Sequence, residues 1–395
     1  MFEAEFPSLR ERAYLDWAAV GIPPLRSVGA IRAALDQLES QPDYFASGSS
    51  QAKAKDEARQ ALSQVLGCDP GHVVFTGTST TSAVQTAVDA VNPQKGDNVV
   101  ILDMDFPLVY GEAYRLKVRG VEVRVVRNSD GDYELDSFYD VIDKRTRALV
   151  VSSVMWVNGL RLEVEELSKL VHEVEGYLLV DAIQEAGALR MRWLDKADFV
   201  AFGTQKWLLS PYGIGVLCVG KRAVEELSPP RPGYSNMKVS DWDSFWEDPT
   251  KVPLSLEPFD RYSPLKFEYG GSFSPLPFKG LSASMSLLSE VGMENVEATI
   301  MRLRKAMVEE LDDVGADVLS PGEARKASGI VLFRLPGTPR YTYELVRRLR
   351  ARGVAVSGRG AAGVWGIRAS VHFPNKEDDV VALSSALREL RDQVT

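Results

Sequence analysis

Five short stretches carry side chains whose types and spacing could do chemistry. Lys206 follows an apolar run in AFGTQKWLLSPYGIG and precedes Trp-Leu-Leu and a Pro/Gly turn. Partial desolvation there would lower its pKa and make the amine a nucleophile toward a carbonyl carbon; the alternative is a solvated loop charge. Asp181 ends the apolar run Tyr177–Val180, with Gln184 three residues later. Its carboxylate could pair with a buried cation or cap the next helix. Gly77-Thr78-Ser79-Thr80-Thr81 combines a close-approach glycine with hydroxyl donors before a helix, either an anion cradle or an ordinary cap. Phe106, in Asp105-Phe106-Pro107, could stack on a flat ring or pack in the core. Arg368, inside GIRASVHFPN, must meet an anion if buried, whether a substrate carboxylate or a structural acid.

The elements that must position these residues alternate helical periodicity with short apolar runs. Helices are expected at 28–40, 51–66, 79–91, 109–119, 135–142 and 162–175, and strands at 72–75, 99–102, 121–126, 148–152, 177–180 and 199–202. A last strand, 214–219, is bounded by glycines and suits an antiparallel place. Apolar runs without alternation suit strands covered on both faces, and strand–helix repetition implies a mostly parallel sheet. Ligands of such sheets bind beyond the strands' C-terminal ends, where Lys206, Asp181 and Phe106 all fall. Segment 228–280 is different: nine prolines are interleaved with Tyr234, Trp242, Phe245, Trp246, Phe259, Tyr262, Phe267, Tyr269 and Phe273. A long aromatic loop of this kind reads as a functional cover or interface. A long helical stretch over about 280–313 should follow, then strands at 329–334, 354–356 and 366–369 with helices at 343–352 and 376–390.

The whole is an α/β chain with a large domain at 16–270 and a smaller α+β domain at 271–395, on which residues 1–15 are expected to pack. Its 395 residues are enough for two or three domains. With 45% hydrophobic residues and a net charge of −9, the composition is globular and not disordered. The acidic balance argues against broad binding of nucleic acid or anionic membranes. Two cysteines and three histidines cannot form a disulfide framework or a four-thiolate zinc site, and no metal is expected. No run of eighteen apolar residues occurs and charges crowd the first twelve positions, so a cytoplasmic address is expected.

Singly, each stretch has an ordinary structural explanation. Jointly they supply a phosphate site, a ring-stacking aromatic, an acid for a pyridinium nitrogen, a Schiff-base lysine and a carboxylate clamp, the contributions a pyridoxal phosphate enzyme requires. No G-x-G-x-x-G follows the first strand, which sets a dinucleotide-binding dehydrogenase aside. The chain resembles the class V aminotransferase family, fold-type I pyridoxal phosphate enzymes that include cysteine desulfurases and isopenicillin N epimerase-like proteins. The resemblance runs through YLDWAAVGIPP, FTGTST, DMDFP, SSVMWVNGLRLEVEEL, LLVDAIQEAGAL, FGTQKWLLSPYGIG, FEYGGS and IRASVHFPNKEDDV. It implies a mostly parallel seven-stranded sheet between helices and a homodimer with shared active sites. It also implies that Lys206 holds pyridoxal 5′-phosphate as an internal aldimine and shuttles the α-proton. Asp181 would pair with the ring nitrogen, Gln184 with the ring oxygen, and Phe106 would stack on the ring. Thr78, Ser79, Ser272 and Gln205 would complete the cofactor shell, and Arg368 with Asn158 would bind an amino-acid substrate.

The departures from the family pattern bear on the reaction. Cysteine desulfurases carry a catalytic cysteine shortly before the Arg368 position, and RGVAVSGRGAAGVWGIR has none. Persulfide formation on the protein is therefore not expected. Gln205 replaces a histidine, Gly203 a serine, Phe106 a stacking histidine, Gly271 a threonine and Trp156 an asparagine. Transamination is the expected reaction, with a C–S or C–C lyase and an epimerase as alternatives. Retention of Lys206, Asp181, Gln184 and Arg368 together speaks against a non-catalytic binding protein.

Overall fold

The computed structural model describes residues 2–233, 242–248, 250, 262–335 and 342–391. Tyr234, Phe259 and much of the Pro-rich stretch lie outside the described residues. A short strand β1 (Ala13–Tyr14) precedes helices α1 (Leu25–Ser40), α2 (Pro42–Ala46) and α3 (Gly48–Leu66). Strand β2 (Val73–Gly77), helix α4 (Thr80–Val91), strand β3 (Asn98–Leu102), helix α5 (Pro107–Val118) and strand β4 (Glu122–Val126) follow. After the single turn α6 (Asp136–Tyr139) come β5 (Thr146–Ser152), α7 (Val164–His172), β6 (Tyr177–Asp181), β7 (Phe199–Gly203) and β8 (Gly215–Val219).

These strands form one sheet in the order β2-β8-β7-β6-β5-β3-β4. Pairings from β4 through β7 are parallel, and β8 runs antiparallel to both β7 and β2, as its glycine-bounded ends suggest. Strands β3, β6, β7 and β8 are buried at every residue because helices cover both faces. In β3, Val100 and Leu102 enter one core while Val99 and Ile101 enter the other. The edge strand β4 carries Glu122 and Arg124 instead, which keeps its open side in water.

Helices α8 (Lys221–Glu226), α9 (Trp242–Glu247), α10 (Pro275–Val291) and α11 (Met293–Asp313) lead to a second, antiparallel sheet. It comprises β9 (Asp317–Val318), β10 (Ile330–Arg334), β12 (Ser357–Ala361) and β13 (Val364–Ser370), in the order β12-β13-β10-β9. Helix α12 (Thr342–Ala351), strand β11 (Val354–Ala355) and helix α13 (Glu377–Arg391) complete this part. The N-terminal segment joins it: β1 pairs with β11, and the Phe6 ring meets Phe373 edge-on at 6.1 Å.

The helical stretch over 280–313 consists of two helices, parted at Gly292, whose φ of +81° an α-helix cannot hold. One expectation needs correction. The helix at 135–142 shrinks to one turn, where only Phe138 is buried and the NH groups of Val141 and Ile142 both reach back to its carbonyl. The two buried anchors of the segment, Phe138 and Ile142, are one turn apart, too short a span to offset the cost of nucleating a longer helix. Among the described residues no helix is long and apolar enough to cross a membrane.

Candidate active site

The C-terminal ends of β3, β5, β6 and β7 open onto one crevice, and each delivers a polar group to it. Asp181, the last residue of β6, is 2% exposed and accepts a hydrogen bond from Ile183 N at 2.9 Å. Burial pushes its carboxyl up to about 6, against the pull of the Ile183 NH and the Lys206 ammonium. Asp105, just past β3, is equally buried. It accepts hydrogen bonds from the Ser152 hydroxyl at the end of β5, from Ser152 N at 3.3 Å and from Phe106 N at 3.1 Å. Burial, with repulsion from Asp181, pushes Asp105 up to about 7 despite those donors. Two carboxyls thus share a dry floor.

Lys206 leaves β7 after three residues and is half-buried, its Nζ lying 5.8 Å from the centre of the Phe106 ring. The surrounding protein pushes its amine down to about 8, and the Arg368 and Arg359 guanidiniums add to that while Asp181 and Asp16 oppose it. Near pH 8 such an amine is partly neutral, hence nucleophilic and able to accept a proton. Phe106 is 41% exposed and stands edge-on to Trp156, with centroids 5.5 Å apart. Trp156 is pinned by its indole NH to Met104 O at 2.9 Å. One face of the Phe106 ring therefore remains open to the crevice.

Arg368 projects from β13 and is 2% exposed. It donates to Trp156 O at 2.7 Å and reaches Asp16 at 3.5 Å, while its Nε has no partner. Burial and the neighbouring Arg359 push it down to about 10. An orphaned buried guanidinium NH, with its nearest acid no closer than 3.5 Å, is what a planar anion would satisfy. Arg359, on β12, is half-buried and donates to its own chain at Gly358 O, 2.8 Å away.

The anion loop sits at the other flank. Gly77 has φ +124°, and a Cβ there would come 2.9 Å from the Ser82 hydroxyl, so only glycine fits. Ser79 is the N-cap of α4, in a reciprocal box with Ser82. Thr78 is exposed beside it, and Thr78, Gly77 and Ser272 line one cavity of about 550 Å³. The cap reading of this segment is thus real, and it leaves the Thr78 hydroxyl uncommitted to the helix.

The remaining expected residues are held mainly by backbone. Gln184 is buried: its Oε1 accepts from the Trp207 indole NH at 2.9 Å, and its Nε2 donates to Ala18 O at 3.1 Å, leaving one amide hydrogen. Gln205 accepts from Gly21 N at 2.8 Å through its carbonyl. Asn158 is 1% exposed; its amide donates to Gly131 O at 2.8 Å and its oxygen accepts from Leu160 N at 3.1 Å. Asn158 therefore closes the loop that carries Trp156 and does not face the crevice.

Three contributors escaped the sequence: Asp16, Asp105 and Arg359. Asp105 and Asp16 stand inside DMDFP and YLDW, so their stretches were visible but their burial was not. The N-terminal segment forms a wall of the site. Asp16 accepts from the Ser357 hydroxyl, Ala18 N donates to Ser370 Oγ at 2.9 Å, and a Cβ on Gly21 would fall 2.0 Å from Lys206 O.

Comparison with known proteins places the chain among similar sequences and folds. A probable cysteine desulfurase of Methanothermobacter thermautotrophicus is 26% identical over 98% of this chain and 96% of its own length. A cysteine desulfurase of Haloferax volcanii is 29% identical over 86% and 79%. Among solved structures, the cystine C–S lyase C-DES, in complex with its reaction product cysteine persulfide, superposes with a TM-score of 0.85 at 20% identity, covering 97% of this chain and 99% of that one. A lysine variant of C-DES with glycine covalently linked to its PLP cofactor gives 0.86 at 21% identity, covering 98% of each chain. These structural likenesses establish the fold. The model of the family described as Aminotransferase class-V matches residues 13–383. With the strand-tip lysine, acid and arginine all inside that match, the chain belongs to the class-V aminotransferase family.

Proposed function

We propose that the protein is a pyridoxal 5′-phosphate enzyme that cleaves the Cβ–S bond of a sulfur-bearing amino acid and releases the sulfur to a small molecule or to solvent. The residues present suit the cofactor: a half-buried amine of lowered pKa, a buried acid with one backbone donor, an open aromatic face and a glycine-built anion loop. When bound, the cofactor supplies an aldehyde and an electron-withdrawing ring that stabilises negative charge at the substrate's Cα. Lys206 would hold it, Asp181 would keep a proton at its ring nitrogen, Gln184 would offer its spare amide hydrogen, and Thr78 with Ser79, Ser272 and Gln205 would surround its phosphate.

The chain's own residues then divide the work. Arg368, through its orphaned Nε and with Arg359 nearby, binds and orients the substrate carboxylate. The Lys206 amine, partly neutral near pH 8, takes the Cα proton and can return it to the departing sulfur. The Phe106 and Trp156 rings exclude water from one side of the crevice.

One observation carries the choice of reaction. The curated relatives quoted above are cysteine desulfurases, yet this chain's two thiols, Cys68 and Cys218, lie at the wrong end of the sheet. Cys218 pairs with Val200 near the start of β7, whereas Lys206 follows the end of that strand. No thiol of the protein is placed to accept sulfur at the site. Transamination is the second reading, supported by an uncharacterized aminotransferase of Schizosaccharomyces pombe that is 26% identical over 69% of this chain.

The test is product analysis with cysteine, cystine and a non-sulfur amino acid. Keto acid, ammonia and reduced sulfur formed together, with no added keto-acid acceptor, would support cleavage. Turnover that requires a keto-acid acceptor and returns a new amino acid would replace cleavage by transamination. We further propose a cytoplasmic homodimer with shared sites, which sedimentation and cross-linking would check.

A further inference from the structure

The only two cysteines of the chain, remote in sequence, line one cavity at the end of the β2–β8 pair. Cys218 lies in β8, directly beside the Val73 register position of β2, and Cys68 follows Gly67, the left-handed cap that ends α3 just before β2. Their thiols are near enough for each to shift the acidity of the other. Both line a cavity of about 660 Å³, whose wall also includes Asp69, His72, Arg190 and Lys221. Cys68 is half-buried and Cys218 is buried, so a small oxidant entering the cavity reaches Cys68 first.

We propose that Cys68 and Cys218 form an intramolecular disulfide when the protein meets a peroxide, making this cavity a modification site separate from the active site. The pair is chemically asymmetric. The Cys218 S–H and the Ser63 hydroxyl hold the Cys68 thiol below its ordinary value, whereas Cys218, next to Cys68 and buried, is pushed well up. Cys68 is the better thiolate and Cys218 the resolving thiol. In the first step the Cys68 thiolate attacks the peroxide, the O–O bond breaks, and a sulfenic acid and hydroxide form. In the second step the Cys218 sulfur attacks that sulfenic sulfur, an S–S bond forms, and the sulfenic oxygen departs as water with the Cys218 proton. Overall, two thiols are oxidised and one hydrogen peroxide is reduced to two waters.

The bond would clamp one end of the β2–β8 pair. The other end of that pair is Gly77 opposite Gly215, where the anion loop begins.

The experiment uses the full-length protein, reduced, desalted and exposed to stoichiometric hydrogen peroxide, then denatured in iodoacetamide and weighed intact. The expected product is monomeric, unalkylated and lighter by two hydrogens, gives a cross-linked Cys68–Cys218 peptide, and melts higher than the reduced protein. Cys218→Ser should instead leave a Cys68 sulfenic acid that dimedone captures, and Cys68→Ser should leave Cys218 fully alkylated. Sulfinic acid at Cys68 with Cys218 still alkylated would overturn the proposal. So would a disulfide between two chains, or two thiols that both remain alkylated.

Discussion

Replacing Arg368 with methionine keeps most of its volume and removes its charge, and the structure separates the two resulting costs. In the free protein, Asp16 loses a cation at 3.5 Å but keeps Arg350 at 3.7 Å and the Ser357 hydroxyl. The stability loss should therefore sit at the low end of the range for breaking a buried pair, about 3 kcal/mol. In the substrate complex, the carboxylate loses a desolvated, charge-assisted fork. That loss is about 2–4 kcal/mol, or roughly 30- to 1000-fold in kcat/KM. The assay compares kcat/KM for an amino-acid substrate with that for the matching amine lacking the carboxylate. Arg368→Met should remove the preference for the acid by that factor, mainly through KM, and leave the amine nearly unaffected. Equal losses on both compounds, tracking the fall in Tm, would refute carboxylate binding and return Arg368 to a purely structural partnership with Asp16 and Trp156.

Three further predictions bear on the same crevice. Lys206→Ala should abolish the covalent hold on the cofactor; a borohydride-fixed adduct at wild-type level would remove Lys206 from that role. Asp105 and Asp181, raised to about 7 and about 6, bind more protons folded than unfolded above their ordinary values near 4, so their contribution to stability falls as pH rises from about 4 to 7. Asp105→Asn should flatten that slope in the apoprotein, as measured by Tm across the interval, and an unchanged slope would contradict the buried-carboxyl assignment. Gly21→Ala puts a methyl 2.0 Å from Lys206 O and should cost about 1–3 kcal/mol in a denaturant titration, whereas a wild-type midpoint would mean the N-terminal wall yields freely.

The parallel sheet was legible because apolar residues run through β3, β6 and β7 without alternation, and that pattern has few other uses in a chain with intervening helices. Lys206 and Asp181 could be placed for the same reason, since a polar residue ending such a run must lie at a strand tip. Asp16 could not. Its partner Arg368 is hundreds of residues away, and no local pattern records a contact between the first strand and the last sheet. Strand β12 was equally hidden: Ser-Gly-Arg-Gly-Ala has little intrinsic strand preference and is extended because β13 pairs with it. With β12 unseen, Arg359 had no assigned place. The break at Gly292 inside the helical stretch was not legible because apolar periodicity continues on both sides of it, and one glycine in a helical pattern is only a weak signal.

The N-terminal wall has a consequence for biosynthesis. A ribosome makes residues 13–21 before the large sheet, yet β1 finds its partner β11, and Asp16 its partner Arg368, only once residues 354–368 have followed. The large sheet can form while translation proceeds, since all its strands, even the late β8 on which β2 depends, emerge before the C-terminal sheet. The wall around Lys206 must wait for the C-terminal sheet to emerge and dock. A nascent chain, or one cut before β11, would therefore carry the strand-tip lysine and acid in an open, water-filled cleft, and would become competent for chemistry only once the later sheet captures the earlier strand.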